Sequence, residues 1–148
     1  MSNRRVLACL PVLLAGCLLT HPGGSSLAFV EIEGVPIERV REVTKKVFAA
    51  EHYAVRSEDA GGLVFVREGT LNDQLQYARY GESLTMRVDV TFEPYGPGAV
   101  LVRADAFALH NGSDRDSVRL LKVTRRPYMQ VLRRVKDQAA EGSKAEGE

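Results

Sequence analysis

Cysteine is the scarcest informative residue in this chain. The 148 residues hold two, Cys9 and Cys17, both near the start. A form cut before Cys17 keeps a single thiol, so its domain has no internal disulfide, and stability comes from the core even in an oxidising compartment. An excess of charge is missing too. Lys and Arg number 20 against 19 Asp and Glu, and loss of residues 1–16 removes Arg4 and Arg5 but no acid, leaving 18 against 19. Without a basic field there is little to drive phosphate-backbone binding, and nucleic acid is not an expected partner. The apolar run Val6–Leu14 is too short to span a bilayer as a helix. Catalytic signatures are also lacking: there is no Gly-x-Ser-x-Gly, no His-Glu-x-x-His and no phosphate-binding glycine loop.

What is present begins with Arg4-Arg5, the apolar run, and then Leu14-Ala15-Gly16-Cys17. A positive segment, a short apolar segment and small residues in that order make a secretory signal. Leu14-Ala15-Gly16-Cys17 resembles the lipobox of bacterial lipoproteins. That resemblance implies cleavage after residue 16, a diacylglycerol on the Cys17 thiol, an acylated amine, and a membrane as first partner. Leu18 in place of aspartate then implies the outer membrane, facing the periplasm, in a host with two membranes. The competing readings of Cys17 are an unmodified thiol in an ordinary signal cut near Ala28, or an apolar filler in a buried helix.

Residues 17–26 hold Pro22, Gly23, Gly24, Ser25 and Ser26 and read as a tether that spans about 30 Å at most. Residues 27–139 read as one domain, a length that suits one modest core. The small, charged residues 140–148 read as a disordered tail.

Within the domain, Leu27–Gly34 looks extended. Ile37, Val40, Val43, Val47 and Phe48 recur at three and four, which predicts a helix to about His52 with Glu38, Arg39, Arg41, Glu42, Lys45 and Lys46 toward solvent. Residues 53–58 and 63–68 predict a hairpin around Asp59-Ala60-Gly61-Gly62. Residues 83–93 alternate strictly and predict a strand, Pro94–Gly98 a turn, and residues 99–109 its partner. Glu93 opposite Ala99 sets a register that pairs Asp89 with Arg103 and Arg87 with Asp105, and Val88, Val90 and Phe92 with Ala104, Val102 and Val100. Residues 118–124 read as a short helix or a fifth strand. Pro127 opens a last helix with an apolar stripe at Tyr128, Val131, Leu132 and Val135.

The expected fold is therefore α+β: a four-stranded, or five-stranded, antiparallel sheet with an N-terminal and a C-terminal helix packed on one face. The helix end Val47–Val55, the turn Gly61-Gly62-Leu63-Val64 and the closing Pro127–Leu132 together resemble small bacterial envelope lipoproteins of uncharacterised function. Their domains are similar to the helix-grip modules of accessory lipoproteins of the β-barrel assembly machinery. Two positions depart from that pattern, His52 where glycine is common and Arg125-Arg126 where an acid is common.

No catalytic residue and no metal ligand emerges. His52 and His110 read as capping or solvated residues at element ends. Glu31 and Glu33 share a strand face, and Asp114 and Asp116 read as helix-start residues. Residues 69–81 are long for a hairpin connection, and Tyr77, Arg79 and Tyr80 are residue types enriched at interfaces. These three are the candidate partner-binding residues; the competing reading is that Leu71, Leu75 and Tyr77 fold the loop onto the sheet, or that the flanking strands run further. The expected function is a noncatalytic, lipid-anchored adaptor that meets another envelope component and needs no cofactor. The alternative is a module holding a lipid or small apolar ligand between sheet and long helix, where Ala104, Ala106 and Ala108 leave room.

Overall fold

A computed structural model describes residues 25–121 and 124–145. Cys17, with the signal and most of the tether, lies outside the described residues, as do His21 and residues 146–148.

Six antiparallel strands form one sheet: β1 (Ala28–Glu33), β2 (Ala54–Glu58), β3 (Gly62–Glu68), β4 (Leu84–Tyr95), β5 (Ala99–His110) and β6 (Ser117–Arg119). Their order is β1-β5-β4-β3-β2, with β6 also on β5. Because β4 pairs with all of β5, β1 and β6 share the other flank, β1 along residues 99–104 and β6 along 107–109. The sheet is thus wider than the expected four or five strands: within the extended-looking Leu27–Gly34, residues Ala28–Glu33 join it as a strand, and the ambiguous stretch holds the end of a three-residue strand that begins before Val118.

Helices α1 (Ile37–Ala50) and α3 (Arg126–Ala145) cover one face. Val40, Val43, Val47 and Phe48 from α1 and Tyr128, Val131, Leu132, Val135 and Ala139 from α3 join the inward residues of β4 and β5 in one core, where Phe48 stacks on Phe65 at 4.3 Å between ring centroids. Ala104, Ala106 and Ala108 are fully buried, so the room they leave is already filled. Helix α3 runs past residue 139, and residues 140–145, expected as tail, are helical.

Two local corrections have clear causes. The β4–β5 register differs by two residues from the expected one: Tyr95 faces Ala99, and Asp89 faces Asp105. Pro94 does not open the turn. Phe92 gives its N–H to Gly61 on the β3 side, so the position of Pro94 points the same way, beyond the last β3 pair at Gly62 and Thr91, where no donor is needed. The turn falls on Gly96–Gly98, with φ +58° and +76° at its two glycines. Since the slip is even, the inward face is unchanged. Arg41, expected in solvent, is largely buried; it lies over Phe92 and donates to Asp59 O at 2.5 Å and Ala60 O at 3.3 Å, which ties the β2–β3 turn to α1.

Candidate functional site

Within residues 69–81, expected as a loop, seven form a helix. In α2 (Leu71–Tyr77), the Thr70 hydroxyl accepts from the Asp73 N–H at 3.2 Å while the Asp73 carboxylate accepts from the Thr70 N–H at 2.9 Å, closing a capping box. The same carboxylate accepts from Arg67 at 2.8 Å. Arg67 follows Leu63 and Phe65 on the inward face of β3, where an aliphatic residue would continue the pattern.

The helix end beneath it is equally specific. Tyr53 donates its N–H to Phe48 O and His52 to Ala49 O, both at 3.0 Å, with His52 at φ +65°. This is a Schellman closure, completed by the edge-on contact of Tyr53 with Phe48 at 5.5 Å. It carries the Tyr53 ring inward, where the Arg67 guanidinium lies 5.0 Å from its centroid.

Between α2, the C-terminal end of α1 and the start of α3 opens a cleft of about 690 Å³. Phe48, Tyr53, Tyr128 and Val131 make its apolar floor, and Thr70, Asn72, Asp73, Gln76 and Thr124 its polar rim. Tyr53 and Tyr128 lie side by side in its lining. Burial pushes both phenols up, and for Tyr128 the neighbouring Tyr53 adds to the effect, so both remain protonated. Burial opposes the charge on Arg67, yet Tyr53 and Asp73 outweigh it and hold the guanidinium above its usual value. Asp73, in spite of burial, is held below the ordinary carboxylate range by its bonds from Thr70 and Arg67.

The three candidate partner residues separate. Tyr77 is half-buried, packs on the core and lines the cleft. Arg79 is exposed and pairs with Asp116 at 3.2 Å. Tyr80 stands wholly in solvent. His52 lines the cleft mouth. His110 is not solvated: it is buried on the inward face with Nδ1 3.0 Å from a Glu82 carboxylate oxygen. Asp114 and Asp116 form a single 3-10 turn, in which Asp114 accepts from Arg56 and Arg87. Among the described residues, no three acidic, His or Cys side chains gather as a metal site, and no helix is long and apolar enough to cross a membrane.

Tyr53, Arg67, Asp73 and Tyr128 are the site residues that sequence reasoning missed. Two signals pointed to them: Thr70-x-x-Asp73 as a capping box, and the inward place of Arg67 on its strand. No protein-family model matches the chain, and no curated protein matches it.

Proposed function

We propose that the chain is a noncatalytic envelope protein, lipid-anchored at Cys17, whose domain takes a segment of another envelope component into the cleft between α2 and α3. The observation that carries this reading is the make-up of the cleft: an aromatic floor, a central arginine and a polar rim of hydroxyl, amide and carboxylate groups, the mixture found where proteins meet. Its ionisable groups favour holding over chemistry. Arg67 and Asp73 neutralise each other, and the two phenols are kept protonated.

A photoreactive residue in place of Gln76, in full-length protein in its host, tests the reading. We expect one discrete crosslinked envelope protein. No adduct, or the same adducts from a probe at Thr91 on the outward face, would overturn it.

A second reading keeps the cleft and changes its occupant to a lipid or other small apolar molecule. The volume of the cleft favours it, since small-molecule sites run from about 300 to 1,000 Å³. The space under Ala104, Ala106 and Ala108 does not serve, because it is filled. Native mass spectrometry of the purified chain decides: a copurifying mass lost on Tyr128→Trp supports this reading, and a bare chain argues against it.

A further inference from the structure

The large hydrophobic side chains that the fold leaves in water are not scattered. Leu71, Leu75, Tyr80 and Leu121 are each between 71% and 107% exposed, well above the other exposed large hydrophobics, Val55, Tyr95 and Val118. Leu71 and Leu75 lie one turn apart on α2, on the side away from Asp73. Tyr80 is the first inner residue of the following turn, which Glu82 N–H closes on Arg79 O. Leu121 comes two residues after β6, next to Leu120, which lines the cleft together with α2. The Arg79–Asp116 ion pair joins the α2 side of this group to the β6 side. Leu71, Leu75 and Tyr80 therefore lie at the His110 end of β5, and Leu121 flanks them lower along the same strand, one residue past Leu120, whose N–H is accepted by Ala106 O.

The tether leaves beside the half of β5 nearer that pole. β1 runs antiparallel to β5, so its first residue faces Ala104 and the chain before it heads toward the His110 end. The Leu27 N–H is held by Asp105 at 2.9 Å, and Ser25 O accepts from Arg119 at 3.0 Å, two residues from Leu121. Eight residues lie between Cys17 and Ser25 when Cys17 is counted, a reach of about 28 Å at full stretch. From the level of Asp105 and Phe107, where the chain leaves, to Ala99 at the far end of β5 is about 20–27 Å. The opposite pole, with the Gly96–Gly98 turn, could meet a bilayer only if the tether ran almost taut along the domain.

We infer that the pole formed by α2, Tyr80 and Leu121 rests on the lipid surface, with its leucines and tyrosine in the interfacial layer, a contact that rests on the proposed anchor at Cys17. Leucine suits the headgroup–acyl boundary, and tyrosine places an apolar ring there with its hydroxyl in the wet layer. Arg125 and Arg126, both exposed and just beyond Leu121, supply charge for anionic headgroups. The covalent anchor keeps the pole at high effective concentration over the surface, so a patch too small to bind from solution suffices. The cleft mouth then opens beside the membrane, which suits a membrane-embedded partner.

The test uses the lone thiol of residues 17–148. That chain, coupled through Cys17 to maleimide lipid in phosphatidylethanolamine and phosphatidylglycerol vesicles, is compared with the uncoupled chain by hydrogen exchange. Amides of residues 71–81 and 120–121 are expected to slow at least about threefold on coupling, and to show no slowing in Leu71→Ser/Leu75→Ser/Leu121→Ser. Because the three sites are exposed, the variant should keep its melting temperature; Tyr80→Ser and Leu121→Ser alone, each with partial loss of slowing, guard against misfolding of the triple variant. Unchanged exchange on coupling, slowing confined to residues 95–98, or slowing that requires an added envelope protein would overturn the inference. Coupling is chemical, so a negative result here is separate from absence of acylation in the host, which the mass of the native protein reports.

Discussion

Asp89 on β4 and Asp105 on β5 stand directly opposite each other in the middle of the outward sheet face. Like charges in that position weaken a sheet, and each aspartate has a different remedy. Asp105 accepts from Arg119 at 2.7 Å and from the Leu27 N–H, so it pins both β6 and the start of β1 to the rest of the sheet. Asp89 has Arg87, which donates to it at 3.1 Å but also reaches Asp114 at 2.6 Å. Burial pushes the Asp89 carboxyl up; Arg87 opposes this, and Asp105 and Asp114 add to it.

Asp89→Asn should therefore stabilise the fold at neutral pH. A carboxyl whose folded value is raised holds its proton more tightly when folded, so the wild type loses stability as pH rises from the ordinary aspartate range through the raised value. The variant lacks that loss. The gain should be no more than about 1 kcal/mol, since the group is about a third exposed and screened by solvent. Urea unfolding of both proteins at pH 4 and pH 7 checks it: the difference should be larger at pH 7.

His52→Gly should raise the melting temperature. His52 adopts φ +65° at the helix end, a conformation that strains a side chain and suits glycine. A gain of about 0.5–1 kcal/mol is expected, read as a shift of a few degrees by calorimetry.

Thr70→Ala should remove one half of the α2 capping box and cost about 1 kcal/mol. It should also blunt acid destabilisation. Asp73 is held low partly by Thr70, and a lowered carboxyl contributes stability that is lost as pH falls through its folded value. With Asp73 nearer its ordinary value, less is lost between pH 5 and pH 2, in the sense seen by denaturant titration at each pH.

Ala106→Leu should destabilise the domain by about 1–3 kcal/mol through overpacking. Unchanged stability in urea would mean that the sheet–helix interface has spare room.

Strict alternation in residues 83–93 and the three-and-four spacing in α1 and α3 made those elements legible, because each buries one face against a common core. Register was less legible. Charge matching paired Asp89 with Arg103, but a shift of two residues preserves the faces, and the choice fell to where Pro94 could sit without a lost donor. Helix α2 escaped notice because seven residues hold too few turns to show a period, and its two leucines face water instead of the core. The site escaped with it. Tyr53, Arg67 and Tyr128 come from three separate parts of the chain and meet only through the tertiary fold, whereas Tyr77 was visible as an interface type within one segment.

The most direct measurement is the intact mass of the protein purified from host membranes, alongside Cys17→Ala. Lipid anchoring predicts a chain that begins at Cys17 and carries acyl mass, absent in the variant. An unmodified Cys17, or a chain that begins near Ala28, would contradict it.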